Sequence, residues 1–494
     1  MRQIEHFIGG RVMPSQGTSS PVFNPATGRA VGAVALGTTG EVDAAVAAAS
    51  AALPKWAATG LQYRAELMLE MRDAMKQAKE ELTGLVIDEA GKTRADAAAE
   101  VARAIEVLGQ AASVGNWYGA TTTPGVSAGV DVQEMRFPIG VVGAISPFNF
   151  PVMIPVLQSA MSIVCGNTVV MKPSERDPSA CLRIAELTQK AGWPEGVFNV
   201  IMGDKAVVDR MLEHPDVAGI TFVGSSAVAR QIRTRGVANN KRVQAFGGGK
   251  NHMVVMPDAD LDAAADAAVS AAYGAAGQRC MAVSVVVAVG SIADSLVAKI
   301  AERLKGLKVG TPSDPATHVG PVITDKSLGF ITGHLTKAQQ EGATLVVDGR
   351  NLRSSDGGWF VGPSLVDHVR TGMAVHAEEL FGPVLSVVRA ADYPEAANII
   401  GDHALGNGAA IFTRDGHVAR RFVNETEAGS IGVNVAIPFP VFFHSFGGWK
   451  DSAFTETKLF GPGALNFCTR TKTVSTRWPE SATSSINLNF PSSH

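Results

Sequence analysis

The stretch GAAGQRCMAVS, Gly274 to Ser284, sets one cysteine behind Gln278 and Arg279 inside a run of glycine and alanine. A free thiol titrates at about 8.5 and is a thiolate at neutral pH only in electropositive surroundings. Arg279 and nearby backbone amides are placed to supply them, so Cys280 is the candidate nucleophile. Cys165, Cys181 and Cys468 sit inside apolar helix or strand patterns and read as small buried hydrophobes. No C-x-x-C spacing links any of the four, which argues against a disulfide framework and a structural zinc site, and no metal is expected.

A second set of polar residues follows strand-like runs: ISPFNFP, MKPSER and FVGSS. Ligands of an open parallel sheet sit at the carboxyl ends of its strands, so Asn149, Lys172, Glu175 and Ser225 are expected to converge on one crevice. Each alone also reads as a cap or turn residue. EAGKT, Glu89 to Thr93, resembles the end of a phosphate-binding loop, but the glycine required five places before Gly91 is Val86. No G-x-G-x-x-G follows a strand, so the ordinary dinucleotide fingerprint is absent as well.

The elements that must position these residues come from a chain of 494 residues, enough for two to three domains at about 150 residues each. With 46% hydrophobic and 18% charged residues the composition is that of a folded globular protein. The formal net charge is -3 and no long basic run occurs, so nucleic acid is not an expected partner. The N-terminal MRQIEHFIGGRVMPSQG carries no apolar core of a signal peptide. The most apolar region, VVGAISPFNFPVMIPVLQSAMSIVCGN, is broken by prolines and Asn149, unlike a membrane span of about 20 apolar residues. A cytoplasmic protein away from membranes is the expectation.

Thr38 with Glu41 reads as a helix start, and Leu and Met at helical spacing predict one long helix from Arg64 to Gly91, with another from Thr93 to Gly119. From Pro138 strands and helices alternate, and after Lys250 the alternation restarts. This is the pattern of two α/β domains, each with a parallel sheet. ALNFCTRTKTVSTRW, Ala464 to Trp478, alternates like an exposed-face strand suited to pairing outside its own domain.

SPFNFP, GNTVVMKPSE, FVGSS, GQRC and EELFGPV occur in the order and approximate spacing of the aldehyde dehydrogenase superfamily, over about residue 3 to Trp478. More narrowly, GKNHMVVMPDADL and AAGQRCMA resemble the CoA-acylating branch, the methylmalonate-semialdehyde dehydrogenases. The resemblance implies an NAD-binding domain at 1–118 and 139–248, a catalytic domain at 249–448, and a small β bridging element at 119–138 and 464–485 for assembly into a dimer or tetramer. It implies Cys280 as nucleophile, with the Asn149 amide and the Cys280 N–H receiving the oxyanion. Ser146, Phe148, Lys172, Glu175, Arg176, Ser225, Glu379 and Phe381 match cofactor contacts. A carboxylate at Glu175 favours NAD over NADP. Arg103 and Arg279 match positions that grip a substrate carboxylate, although Arg103 lies opposite the stripe Val101, Ala104, Ile105 and Leu108 and by periodicity alone is solvated.

The implied reaction converts malonate or methylmalonate semialdehyde to acetyl-CoA or propionyl-CoA with loss of CO₂. Two departures stand out. Phe246 occupies the position where hydrolytic members carry a glutamate that activates water, so coenzyme A is the expected acyl acceptor. VMIPVLQSAMSIVC, Val152 to Cys165, replaces bulkier aromatics of the family. The alternatives are a hydrolytic semialdehyde dehydrogenase with its base elsewhere and a catalytically silent relative that only binds NAD.

Overall fold

The computed structural model describes residues 2–116, 118–127, 129–352 and 357–478. The polar tail and positions 479–485 of the expected bridging element lie outside the described residues.

Thr38 opens the helix Thr39–Ala58 with a reciprocal cap: its hydroxyl accepts from the Glu41 N–H at 3.3 Å while the Glu41 carboxylate accepts from the Thr38 N–H at 2.7 Å. The expected helix across Arg64 to Gly91 is instead two, Leu61–Gln77 and Lys79–Ala90, broken at Ala78. No glycine or proline marks the break, so the Leu/Met spacing ran on through it in the sequence. Gly91 ends the second helix at φ 68°, where a Cβ would lie 2.8 Å from Pro321 Cγ. Thr93 then caps the helix Arg94–Ala112 through the Asp96 N–H.

Two seven-stranded sheets follow. In the first, five parallel strands run in the order Arg242–Phe246, Val217–Val223, Val141–Ile145, Thr168–Lys172, Phe198–Val200. The N-terminal strands His6–Ile8 and Arg11–Met13 extend the sheet antiparallel. The chain moves outward from Val141–Ile145 in one direction, then returns to its other side at Val217–Val223. That reversal is the point where an open sheet parts at its carboxyl edge and leaves a crevice. Val141–Ile145 and Thr168–Lys172 are buried along their whole length, as strands covered on both faces must be.

The second sheet runs Thr344–Val347, Ser364–Val369, Val384–Ala390, Val283–Val289, Asn251–Val255, Gly408–Phe412, Ser430–Val433, parallel except for its first pair. The expected pattern of two α/β units, each with a parallel sheet, is therefore what the chain forms.

Three smaller sheets complete it among the described residues, one of them the antiparallel pair Leu405–Gly406 and Trp449–Lys450. Arg2–Ile4, Arg29–Leu36 and Thr18–Asn24 form one. Thr469–Arg477, Val130–Pro138 and Thr121–Ser127 form an antiparallel ribbon, mostly exposed. The alternation in the sequence began too early: Gly461–Cys468 is helical and buries Ala464, Leu465, Phe467 and Cys468, and the strand starts only at Thr469. Among the described residues no helix is long and apolar enough to cross a membrane.

Candidate active site

The helix Leu261–Tyr273 ends in a tight turn, Gly274–Gly277. Ala275 and Ala276 take left-handed backbone at φ 51° and 54°, a conformation costing an L-residue about 1–2 kcal/mol. Remote side chains hold it there. Asp96 accepts from the Ala275 N–H at 3.0 Å and pairs with the Arg279 guanidinium. Gly277 faces the Gly382 carbonyl so closely that a Cβ would come within 2.1 Å of it. Beyond the turn, the amides of Asn251 and Asn407 both donate to the Cys280 carbonyl at 2.8 Å. Asn149 Nδ2 donates to the Gln278 carbonyl at 3.1 Å, which sets it against the cysteine loop with its other amide hydrogen available.

Cys280 is partly exposed, whereas Cys165, Cys181 and Cys468 are buried. Burial and then the nearby Glu379 charge push its thiol up to about 11, while the N–H groups of Cys280 and Met281 and the Lys92 ammonium pull the other way. The Arg279 guanidinium is tied to Asp96. Glu379 accepts from the Gly249 N–H at 2.9 Å, and burial raises its carboxyl to about 7. Lys250 donates to the carbonyls of Val375 at 2.7 Å and Glu378 at 2.8 Å, and burial lowers it to about 8.

At the crevice of the first sheet, the Ser146 N–H donates to the Lys172 carbonyl at 3.1 Å. Its hydroxyl is buried without a partner, a polar group left for a ligand to satisfy. Lys172 pairs with Glu175 at 2.9 Å. Burial works against the Glu175 charge, but the Lys172 ammonium holds its carboxyl below the usual range. Arg176 lies over the Phe148 ring at 5.1 Å, and Phe148 meets Phe381 edge-to-face at 5.6 Å. Three sequence motifs thus converge, with Phe381 itself at φ 52°. Ser225 is exposed and makes no cap bond, while its neighbour Ser226 accepts from the Gly248 N–H at 3.0 Å.

Arg103 pairs with Glu106 at 2.7 Å and lies 5.1 Å over the Phe439 ring, whose neighbours are Phe446 and Phe460. Phe246 ends its strand buried, packed so tightly on Gly447 that a Cβ there would meet the ring at 2.6 Å. The altered helix Met153–Val164 is buried throughout. Sequence reasoning missed Lys92, Asp96, Glu100, Lys250, Asn251 and Asn407. A polar residue at the start of a buried strand, as at Asn251, was one signal available. Among the described residues no group of His, Cys, Asp and Glu is arranged to hold a metal ion.

A parallel sheet that parts at a crevice, a cysteine just beyond a strained turn and an asparagine amide against its loop fit an aldehyde-oxidising scaffold. The model of the aldehyde dehydrogenase family matches residues 12–474, and the chain belongs to that family. It is 44% identical to a malonate-semialdehyde dehydrogenase of Pseudomonas aeruginosa over 100% of both chains. To a malonate-semialdehyde dehydrogenase of Geobacillus kaustophilus it is 41% identical, over 97% of this chain and 99% of the other. The crystal structure of a methylmalonate-semialdehyde dehydrogenase from Oceanimonas doudoroffii superposes with a TM-score of 0.96 at 44% identity, covering 97% of this chain and 99% of that one. A Sinorhizobium meliloti protein given the same assignment, solved in complex with NAD, has a TM-score of 0.96 at 44% identity over 98% and 99% of the two chains.

Proposed function

We propose that this protein oxidises malonate or methylmalonate semialdehyde with NAD and transfers the acyl group to coenzyme A, releasing CO₂. The residues at the crevice fit a dinucleotide: Ser146 carries an unpartnered buried hydroxyl, and Glu175 is an ionised carboxylate beside Lys172. When bound, NAD supplies the hydride acceptor.

The Cys280 thiolate adds to the aldehyde carbon, and the new oxyanion takes hydrogen bonds from Asn149 Nδ2 and the Cys280 N–H. Loss of hydride restores the carbonyl as a thioester on Cys280. The β-carboxylate then leaves as CO₂, its bonding electrons passing into the thioester carbonyl before a proton is taken up at carbon. The CoA thiolate attacks the thioester, the carbon–Sγ bond breaks, and Cys280 is released. Arg103 and Arg279 orient the substrate carboxylate. In the same reading, 1–118 with 139–248 bind cofactor, 249–448 carry the catalysis, and 119–138 with 464–485 assemble a cytoplasmic homo-oligomer.

The observation that carries the acyl transfer is Phe246, a buried phenyl ring where a hydrolytic enzyme of the family needs a base. Product analysis with and without CoA tests it. Without CoA, NADH should appear as a burst of about one equivalent per active site and then stall, because the thioester has no efficient acceptor. The hydrolytic reading has one observation behind it: burial raises the Glu379 carboxyl to about 7, its charge acts on the Cys280 thiol, and a carboxyl there could serve as base. In that case CoA-free turnover is sustained, and it falls as pH drops through about 7 and Glu379 becomes protonated.

A further inference from the structure

Three histidines that the proposed reaction does not use meet in the interior: His252 in the strand Asn251–Val255, His376 in the short helix Ala374–Ala377, and His403 just before Leu405–Gly406. All three are buried, and their rings pack edge-to-face in a triangle with centroids 5.3, 5.4 and 5.4 Å apart. His252 Nε2 and His376 Nε2 lie 3.2 Å from each other, so one ring gives a proton and the other accepts it. His403 Nδ1 accepts from the Leu405 N–H at 3.1 Å, which leaves its Nε2–H to donate to the His376 carbonyl at 3.3 Å. Two ring nitrogens of the cluster must therefore be unprotonated for its hydrogen bonds to form.

The helix Ala374–Ala377 leads directly to Glu379 and is too short to pair its own last carbonyls. Lys250 takes those of Val375 and Glu378, His403 takes that of His376, and the His376 ring is bonded to His252. These anchors sit on the two segments whose asparagines, Asn251 and Asn407, donate to the Cys280 carbonyl. Resting on the reading of Glu379 as a cofactor contact, we infer that His252, His376 and His403 are positioning residues: as neutral rings they dock the Glu379 segment on the two segments that clamp Cys280, and proton uptake by the cluster undocks it. An imidazolium at His403 loses its acceptor for Leu405, and two at His252 and His376 set N–H against N–H. The charged groups around the cluster are Lys250, Lys450, which donates to the His403 carbonyl at 3.2 Å and pairs with Glu427, Glu378, which lies 3.4 Å from His334, and Glu379. Burial lowers all three rings below the usual histidine value, His376 to about 4, and the Lys250 charge pushes the same way.

Hydrogen exchange of the intact protein, read by mass spectrometry from pH 7.5 to 5 and corrected for intrinsic exchange rates, tests this. The peptide over 374–380 is compared with the strand Val283–Val289. Rings that bind protons less readily when docked than a free histidine, at about 6.5, contribute stability that is present above that pH and is lost as pH falls toward about 4. Protection of 374–380 should therefore drop below pH 6.5 by about tenfold per pH unit for each proton taken up, while the strand keeps its own. Glu379, raised to about 7, acts in the opposite sense and is common to the variant. His252→Gln/His376→Gln keeps a donor and an acceptor across the pair but cannot be charged there. Its protection should equal that of the unaltered protein to within about twofold at pH 7.5 and fall about tenfold less by pH 5.5, with His403 still titrating. A flat profile in the unaltered protein overturns the inference, and it decides alone if the double variant does not fold. An acid loss shared in full by the double variant overturns it too, as does a double variant already unprotected at pH 7.5, which marks ring packing and nothing more. A Glu379→Gln protein that binds NAD as tightly as before instead overturns the reading of Glu379, a separate outcome.

Discussion

The crevice of the first sheet and the turn before Cys280 solve the same problem by opposite means. At the crevice the contacts are local: Lys172 reaches Glu175 three residues on, and Ser146 bonds the neighbouring strand. The turn and the Cys280 loop after it are held from far along the chain, by Asp96, Asn149, Asn251 and Asn407, and the turn keeps Ala275 and Ala276 in a backbone they would not choose. The difference teaches where precision comes from. A regular strand end positions its side chains by its own register. A strained turn needs partners whose combined hydrogen bonds outweigh the cost of the left-handed residues.

The strongest way to break this comparison is Cys280→Ala. NADH formation should fall by about 10⁴-fold or more, while NAD affinity stays nearly unchanged because the crevice contacts lie on other segments. Isothermal titration with NAD on the same preparation checks both halves. Loss of NAD binding in parallel would mean that the two regions are not independently built.

The same contrast explains what was legible beforehand. The strand-end residues lay in short motifs that announce themselves, and Cys280 stood out by its glycine-rich setting. Asp96 and Glu100 carried no signal on an alanine-rich helix, because nothing in a sequence says which remote N–H groups a carboxylate will cap. Arg279 shows the same limit: its charge was visible but its partner, Asp96, was not. The break at Ala78 and the helix Gly461–Cys468 escaped because the spacing of apolar residues fitted the wrong element equally well.

A smaller effect is expected at Arg103. A hydrogen bond to a charged group contributes about 1.5–3 kcal/mol, so Arg103→Leu should lower kcat/KM for a carboxylated semialdehyde by roughly 10- to 150-fold. Propanal, with no carboxylate, should be oxidised almost as before. Among the described residues Arg103 is ion-paired with Glu106 and lies over Phe439, so the fold should tolerate the change. Equal slowing of both aldehydes would remove Arg103 from substrate recognition.

The smallest effect sharpens the crevice itself. The Lys172 ammonium keeps Glu175 ionised, and an ionised carboxylate accepts from both hydroxyls of an adenine ribose while repelling a 2′-phosphate. Glu175→Gln keeps one acceptor oxygen and loses the charge, so the loss toward NAD should be about 1 kcal/mol, or roughly fivefold in KM, with kcat unchanged. The effect on NADP has the opposite sign. Without the carboxylate, the Lys172 ammonium, now unpaired, faces the phosphate as an attractive charge, and the ratio of kcat/KM for NADP over NAD should rise more than the NAD term alone accounts for. Because the carboxyl lies below its ordinary range, it stays ionised throughout the neutral region, and the preference of the unaltered enzyme should not change there with pH. Measuring both cofactors against one aldehyde at several pH values decides it: an unchanged NADP to NAD ratio in the variant would place the ribose elsewhere and leave the Lys172–Glu175 pair as a strand-end ion pair with no part in cofactor choice.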